Sequence, residues 1–352
     1  MAVCLVTGGA GFVGSHLVDA LLMRGHQVRV LDNFSTGNLA NLAGAWDQIE
    51  LISGDLLDLE LVREAMQGVE LVFHQAGLAS VPRSLADPPS THHSCATGTL
   101  HVLMAARDAQ VRRLIYAGSS SAYGNSALLP QREADPTQPL SPYAVAKFAG
   151  EQYCAAFTHI YGLETVRLRN FNVFGPRQSA GGPYAAVVPL FLEAMLAGRS
   201  PVIYGDGLQS RDFTYVDNVV QANLLAAEAP RVAGMFYNVA FGRSTSLLDL
   251  LDTINELLGT HLKPIYNSPR PGDVRHSHAD ISRAQIDLGY CPSIDLKQGL
   301  RLCIDSLLRE REPSQSKNGV SKQRMPAPHR RPPVVSARAG ATGTQRENVF
   351  GT

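Results

Sequence analysis

A glycine-rich junction near the start of the chain is the feature that most constrains its fold. The stretch VTGGAGFVGSH, residues 6–16, places Gly8, Gly11 and Gly14 between a β-branched run and an apolar pattern of helical spacing. At such a turn the first glycine permits the tight bend, the second lets the backbone approach a pyrophosphate, and the third allows close helix packing. Free N–H groups and the helix dipole also favour an anion there. The pattern predicts a phosphate-binding turn inside a βαβ unit.

Short β-branched runs alternate with helical patterns in the first half of the chain. The predicted strands are AVCLVTG, HQVRVLDN, IELISGD, ELVFHQAG, RRLIYAGS and ETVRLRN, and the later helices are TGTLHVLMAARDAQ and SPYAVAKFAGEQYCAAFTHIYG. This alternation predicts an α/β fold, a Rossmann-type doubly wound parallel sheet followed by a smaller C-terminal α/β substrate lobe. We expect the dinucleotide-binding domain over residues 1–170 plus 212–240, and the lobe over residues 171–211 plus 241–312.

The composition is that of a globular cytoplasmic protein. The chain has 352 residues, of which 45% are hydrophobic and 18% charged. No apolar run approaches the roughly 18 residues that a membrane span needs, and no basic n-region of a secretory signal precedes Arg24. The five cysteines are scattered without a CxxC motif, which favours reduced thiols. We therefore expect a cytoplasmic protein with no membrane partner.

The last forty residues differ in character from the body of the chain. Residues 313–352 carry seven Lys or Arg against one acid and are rich in Pro, Ser, Gly and Gln. Such a segment cannot bury enough apolar surface to offset its ordering entropy, so a disordered basic tail is predicted. A basic arm for nucleic acid or acidic lipid is the alternative. Because the body offers no basic groove to extend it, we expect no nucleic-acid partner.

Acids after the second and third predicted strands indicate which dinucleotide binds. Asp32 ends the second strand, where a carboxylate can bind both adenosine ribose hydroxyls and would repel a 2′-phosphate. That position favours NAD over NADP. Asp55 follows the third strand and is either a residue near the adenine or a plain turn acid.

The segment SPYAVAK, residues 141–147, is a candidate catalytic motif. Ser141 can cap a helix whose first turn suits Pro142, and Tyr143 and Lys147 then share one helix face. A free tyrosine has a pKa of about 10, which a lysine ammonium and a positive nicotinamide ring would lower. The plainer reading is a surface tyrosine beside a solvated lysine. The hydroxyl-rich GSSSAYG, at the end of the fifth strand, would supply groups for a substrate oxygen.

Taken together, these motifs resemble the extended short-chain dehydrogenase/reductase family, and within it the nucleotide-sugar 4-epimerases. The resemblance covers residues 1 to about 308 and rests on TGGAGFVG, LDNFSTGN, HQAGLASVPRS, GSSSAYG, SPYAVAK, RNFNVFGPRQ, SRDFTYVDN and RPGDVRH. It implies that Tyr143 is the base, that Lys147 tunes it and binds the nicotinamide ribose, and that Ser119 bonds the sugar O4.

The same resemblance implies a set of binding residues. Its NAD contacts are Gly8, Gly11, Phe12, Val13, Gly14, Asp32, Asn33, Asp55, Leu56, Gln75, Tyr143 and Lys147. Its contacts to UDP and the sugar are Ser80, Ser120, Asn172, Gln178, Ala186, Val187, Arg211, Arg270, Asp273 and Ser277. Arginines suit a diphosphate because their forked donors match its oxygens. No metal is expected, since the histidines at 92–93 and 276–278 lack a partner in ligand spacing.

The implied reaction is epimerisation at C4 of a UDP-hexose through a 4-keto sugar, with hydride passing to NAD and back. Dehydratases of similar sequence carry an Asp-Glu pair where this chain has Ser120 and Ser121, and decarboxylases carry Glu at the second position. A non-catalytic NAD-binding sensor is a rival reading, although such proteins usually lose part of the catalytic trio.

The likeness is closest to the UDP-N-acetylglucosamine 4-epimerases. Ser277 stands where glucose-only enzymes carry a bulky Tyr, which would leave room for an N-acetyl group. UDP-glucose and UDP-glucuronate remain alternatives. Three positions depart from the pattern: Cys95 replaces a usual Asn, Asn170 a frequent Tyr, and Ala79 a Gly.

The helix that follows Tyr143 is apolar nearly all round, up to Tyr161. One face would pack on the sheet and the other on a second subunit, which predicts a homodimer. A monomer with a long covering loop is the alternative.

Overall fold

A seven-stranded parallel sheet dominates the structure, a computed structural model that describes residues 1–181, 185–269 and 274–311. The strands are β1 (Val3–Thr7), β2 (Gln27–Asp32), β3 (Ile49–Ser53), β4 (Leu71–His74), β5 (Arg113–Ser119), β6 (Glu164–Asn170), β7 (Val173–Phe174), β8 (Val202–Tyr204), β9 (Ser210–Asp212), β10 (Thr214–Tyr215), β11 (Phe236–Val239), β12 (Ser244–Ser246) and β13 (Ile265–Asn267). The helices are α1 (Phe12–Met23), α2 (Leu59–Ala65), α3 (Val81–Ala86), α4 (Pro88–His92), α5 (Gly98–Asp108), α6 (Pro142–Tyr161), α7 (Val187–Leu196), α8 (Val216–Glu228), α9 (Leu247–Leu258), α10 (Ser282–Leu288) and α11 (Leu296–Arg311). The predicted tail lies outside the described residues.

The strand order confirms the predicted doubly wound fold. It runs β11-β6-β5-β4-β1-β2-β3, and every neighbouring pair is parallel. After β3 at one edge the chain returns to β4, beside β1, so the direction of winding reverses between β1 and β4. Ligands of such sheets bind outside the carboxyl ends of the strands at this reversal. The fold therefore fixes where a site can form.

Hydrophobic cores fill both faces of this sheet. Because successive strand residues point to opposite faces, Val6 of β1 joins a cluster with Leu17 of α1, while Leu5 joins one with Val102 of α5. Burying a side chain of this size contributes about 1.5–3 kcal/mol. The two cores hold the helices against the sheet, as the alternating sequence pattern predicted.

Elements beyond β6 build a third apolar cluster and the far edge of the sheet. The cluster includes Phe174, Phe191 of α7, Leu250 of α9 and Leu300 of α11. The edge strand β11 was not recognised in the sequence. Neither were short helices such as α2 and α4, because segments of five to seven residues show too little periodicity.

A buried ion pair joins α6 to the sheet. Glu151 of α6 receives two hydrogen bonds from the guanidinium of Arg169 of β6, at 3.0 and 2.7 Å, and the two side chains are only 2% and 3% exposed. The guanidinium also lies 4.6 Å from the ring centre of Tyr123 and 4.4 Å from that of Phe236. This paired, enclosed charge fixes the position of α6 along the sheet.

We expect Arg169→Met to lower the free energy of unfolding by about 3–5 kcal/mol, because it leaves the Glu151 carboxylate buried without a charge partner. Urea unfolding followed by circular dichroism measures the loss. The double variant Arg169→Met/Glu151→Leu removes both charges and should recover most of it. A single-variant loss below about 1 kcal/mol would show that the pair contributes little.

Candidate active site

One cleft of about 2010 Å³ runs along the carboxyl ends of the strands. It is lined by residues from the turn after β1, from β2, β5 and β6, from α1, α6 and α7, and from the segment that begins at Val274. The predicted site residues that line it are Gly8, Gly11, Phe12, Val13, Gly14, Asp32, Asn33, Asp55, Leu56, Gln75, Ser80, Ser119, Ser120, Tyr143, Lys147, Asn172, Gln178, Ala186, Arg211 and Ser277. Val187, the first residue of α7, is not among the lining residues, and Arg270 and Asp273 lie outside the described residues.

The glycine-rich turn forms the floor of one end of this cleft. Gly8 has φ +70° and its N–H donates to the Leu31 carbonyl at 2.8 Å. A Cβ at Gly14 would lie 2.1 Å from the Gly8 carbonyl oxygen, so α1 packs too closely for any side chain there. No side chain caps the N-terminus of α1 at Gly11. The first residues of α1 line the cleft, so its uncapped N-terminus can accept a pyrophosphate there.

Gly14→Ala should lower both the free energy of unfolding, by about 1–3 kcal/mol, and the affinity for NAD. The added methyl would press on backbone rather than on a flexible side chain. Urea unfolding and calorimetric titration with NAD measure the two effects. Gly44→Ala is the matched control, because no heavy atom lies within 4 Å of its Cβ position. If both variants behave like wild type, close packing at Gly14 is not a requirement of the turn.

The acids predicted beside the adenosine lie at the end of β2 and just after β3. Asp32 accepts hydrogen bonds from the N–H groups of Ala10 and Phe34, at 2.9 and 2.8 Å, and burial raises the pKa of its carboxyl. Asn33 donates to the Asp55 carboxylate at 2.7 Å. Both acids line the cleft beside the glycine turn. The donors and acceptors present thus fit a dinucleotide.

The segment SPYAVAK begins α6 as its sequence predicted. The Ser141 hydroxyl accepts from the Ala144 N–H at 3.2 Å, and Pro142 is the first helical residue. Lys147 is only 5% exposed and its Nζ donates to the Ala117 carbonyl of β5 at 2.9 Å. The Tyr116 hydroxyl in turn donates to the Lys147 carbonyl at 3.0 Å. Lys147 is therefore held in place, and the reading of a solvated surface lysine is wrong.

Burial works against the ionisation of Tyr143. It raises the pKa of Tyr143 to about 12, the nearby Cys95 adds to the rise, and a hydrogen bond with Ser119 offsets part of it. Burial also lowers the pKa of Lys147. The sequence argument expected a lowered tyrosine pKa with both the lysine and a bound nicotinamide ring nearby, whereas in the protein alone burial sets the direction upward. Desolvation penalises the charged form of each group, so it acts against the phenolate and the ammonium alike.

Hydroxyl groups line the cleft opposite α6. Ser119 ends β5, and its Oγ lies 2.8 Å from the Ser121 Oγ and accepts from the Ser121 N–H at 3.2 Å. On the next strand Asn170 pairs with Ser119 in register. The end of β5 thus presents the serine triplet to the space in front of Tyr143.

The substrate side of the cleft combines Ser80, at the start of α3, with residues from the later part of the chain. The Arg211 guanidinium donates to the carbonyls of Ser210 and Arg275, at 2.8 and 3.2 Å. Ser277 is 6% exposed, and its N–H donates to the Ser210 carbonyl at 3.1 Å. Ser80 caps α3 by accepting from the Arg83 N–H at 3.3 Å. The segment around Ser277 is thereby fixed to β9.

The departure at Cys95 fills the space behind Tyr143. Cys95 lies in a π-helical turn, is fully buried, and packs with Ala146 and Tyr143. A Cβ at Gly77 would lie 3.2 Å from both the Cys95 Sγ and the Lys147 Nζ. The thiol therefore borders the space next to the lysine ammonium.

Three buried amide oxygens that border the cleft make no hydrogen bond within the described part of the chain: Oε1 of Gln131, Oδ1 of Asn170 and Oε1 of Gln178. The sequence analysis named Asn170 only as a departure and missed Gln131. No sequence signal could have identified Gln131, which lies in the loop between β5 and α6.

Among the described residues, no three His, Cys, Asp or Glu side chains are grouped as a metal ion would need. None of their helices has the length and apolar character to cross a bilayer.

The fold and the cleft together define a Rossmann-type, dinucleotide-binding α/β protein with a Tyr-x-x-x-Lys pair beside a serine triplet. The profile of the NAD dependent epimerase/dehydratase family matches residues 4–240. The chain belongs to this family, and its cofactor is NAD.

Relatives of known name share most of its length. A putative UDP-glucose 4-epimerase of Methanocaldococcus jannaschii is 38% identical over 303 residues, which cover 86% of this chain and 97% of that protein. The structure of a UDP-N-acetylglucosamine 4-epimerase from Methanobrevibacter ruminantium M1, in complex with UDP-N-acetylmuramic acid, has a TM-score of 0.84 at 39% identity and covers 88% of this chain and 99% of that one. The Thermus thermophilus UDP-glucose 4-epimerase in complex with NAD has a TM-score of 0.80 at 35% identity, covering 87% and 99%.

Proposed function

We propose that the chain interconverts UDP-N-acetylglucosamine and UDP-N-acetylgalactosamine by inverting the configuration at C4. The observation that carries the C4 chemistry is the group formed by the buried Lys147 and the half-buried Tyr143 and Ser119 at the carboxyl edge of the sheet, next to the glycine turn. Relatives named as UDP-sugar 4-epimerases support the same reaction class.

In this mechanism Tyr143 is the base that removes the O4 proton. Ser119 holds the O4 oxygen by a hydrogen bond, and Lys147, fixed by the Ala117 carbonyl, lines the same cleft as Tyr143 one helical turn further on. When bound, NAD supplies a reversible acceptor for the C4 hydride. After the 4-keto sugar turns over, Tyr143 would return the proton to O4 with the configuration at C4 inverted, and because bound NAD would end in the state in which it began, the reaction has no net redox change.

The raised pKa of Tyr143 means that the base needs help to ionise. Since burial raises the pKa of Tyr143 to about 12, the phenolate needs positive charge close to it. Lys147 supplies one charge and the oxidised nicotinamide ring another. The base is thus competent when oxidised NAD is bound, which is the state that begins each cycle.

Tyr143→Phe should keep NAD bound but reduce kcat by about 10²–10⁴-fold, because it removes the base and keeps the ring. A coupled assay of the product sugar gives kcat, and absorbance gives the NAD content of the purified protein. Tyr161→Phe, at the exposed end of α6 (51% exposed), is the matched control. A Tyr143→Phe variant that keeps most of its kcat would exclude Tyr143 as the base. Wild-type protein that binds NAD but turns over no UDP-sugar would favour the alternative of a non-catalytic NAD-binding sensor.

The choice of an N-acetylated sugar is supported by Ser277. This serine is small, 6% exposed, and lines the cleft on a segment hydrogen-bonded to β9. A side chain of this size leaves volume for a C2 acetamido group, which is several heavy atoms larger than a hydroxyl. UDP-glucose is the second candidate, because two of the relatives above carry that name.

Ser277→Tyr should lower the ratio of kcat/KM for UDP-N-acetylglucosamine to that for UDP-glucose by about 10–200-fold, because the larger substrate clashes with the ring. Both sugars are assayed with the same preparation. Ser282→Tyr, on the exposed start of α10, is the control for the added tyrosine. An unchanged ratio would remove Ser277 from the choice of sugar.

The outer face of α6 supports a homodimer. Val145, Tyr153 and Ile160 are 52%, 40% and 65% exposed in the single chain. The sequence analysis predicted that both faces of α6 are covered, one by the sheet and one by a second subunit. In the single chain the outer face is exposed, and large exposed apolar patches mark contacts between proteins. The five free cysteines support a cytoplasmic location.

A further inference from the structure

Gln131 is fixed in the wall of the cleft by its backbone. Its N–H donates to the His278 carbonyl at 2.7 Å, and its carbonyl accepts from the Asp280 N–H at 2.9 Å and from the Asn238 side chain at 3.0 Å. These bonds form a parallel β-bridge between Gln131 and Ala279. The backbone is fully paired, so the position of Gln131 in the wall is fixed.

The Gln131 side chain is buried and lacks a protein partner. The residue is 1% exposed and borders the cleft, and its Oε1 makes no hydrogen bond within the described part of the chain. Leaving such a group unsatisfied costs about 1–3 kcal/mol. Buried polar groups in folded proteins are nearly always bonded, and an exception requires an explanation. A hydrogen-bond donor on a ligand in the cleft would pair with this oxygen and would explain the exception.

The β-bridge places Gln131 on the same face as Ser277. Residues two apart in an extended segment point to one side, so Ser277 and Ala279 share a face. Residues paired in a bridge also share a face, which adds Gln131 to that side. Both Gln131 and Ser277 border the cleft. The amide therefore lies on the wall that the proposed function assigns to the C2 substituent.

We propose that Gln131 is a specificity-determining residue that binds the acetamido group of the sugar, an inference that rests on the proposed function. A glutamine amide offers N–H donors and a carbonyl acceptor, and an acetamido group offers the complementary acceptor and donor. A C2 hydroxyl is smaller and lies closer to the ring, so it cannot fill both positions. Ser277 leaves room for the group, and Gln131 bonds it.

The test replaces the amide by an apolar group of similar size in two variants, Gln131→Leu and Gln131→Met. Each should lower the ratio of kcat/KM for UDP-N-acetylglucosamine to that for UDP-glucose by about 10–100-fold, the cost of leaving buried amide groups unpaired. Gln221→Leu is the matched control. The Oε1 of Gln221 on α8 is likewise buried without a partner, but the residue does not line the cleft. The control should keep the wild-type ratio.

Equal losses of kcat/KM for the two UDP-sugars would overturn the proposal, since Gln131 would then only maintain the structure of the cleft wall. An unchanged ratio in either folded variant would also overturn it. If wild-type protein does not epimerise UDP-N-acetylglucosamine, the proposed function fails. Calorimetric Kd values of the two UDP-sugars for wild type and the variants still decide the role of Gln131. A selective rise in Kd for UDP-N-acetylglucosamine supports the role, and parallel values exclude it.

Discussion

The burial of one polar stripe of α6 against the sheet is the constraint on which the rest of the site depends. Tyr143, Lys147 and Glu151 recur every four residues and therefore share a helix face. Lys147 bonds the carbonyl of Ala117 on β5, and Glu151 bonds Arg169 on β6. Ionised groups this deeply buried tolerate few arrangements, because a lost partner costs several kcal/mol. These bonds fix both the rotation of α6 and its position along the strands.

Once α6 is fixed, the strand register positions the remaining groups. Ser119 and Asn170 end neighbouring strands as paired residues, so a serine hydroxyl and an amide face the same space as Tyr143. The turn that contains Gly8 ends β1, two strands away, at the same edge. The reversal of strand order opens the cleft between them. Reactive groups from distant parts of the sequence meet without any of them being close along the chain.

The sequence predicted what local patterns encode. The glycine turn, the β-branched strands of the sheet and the Ser141 cap are local features, and the structure contains them as predicted. The sequence analysis missed features that depend on contacts between residues far apart in the chain. The edge strand β11 is only four residues long, and the direction of Gln131 depends on a bridge to Ala279, almost 150 positions further on. In the protein alone the pKa of Tyr143 is raised because of burial, which a motif does not reveal.

A small residue and a hydrogen-bonding residue in the wall of a cleft discriminate between sugars in different ways. A small wall residue such as Ser277 only removes a steric barrier, and an apolar or open wall admits larger and smaller substrates with little preference. A buried amide acts differently, because it is satisfied by the right substituent and left unpaired by the wrong one. Asn170 and Gln178 add two more unpartnered oxygens on the same cleft. A hexose rich in O–H and N–H donors satisfies such acceptors. In the function proposed above, size permits the acetamido group and hydrogen bonding is the term that would select it.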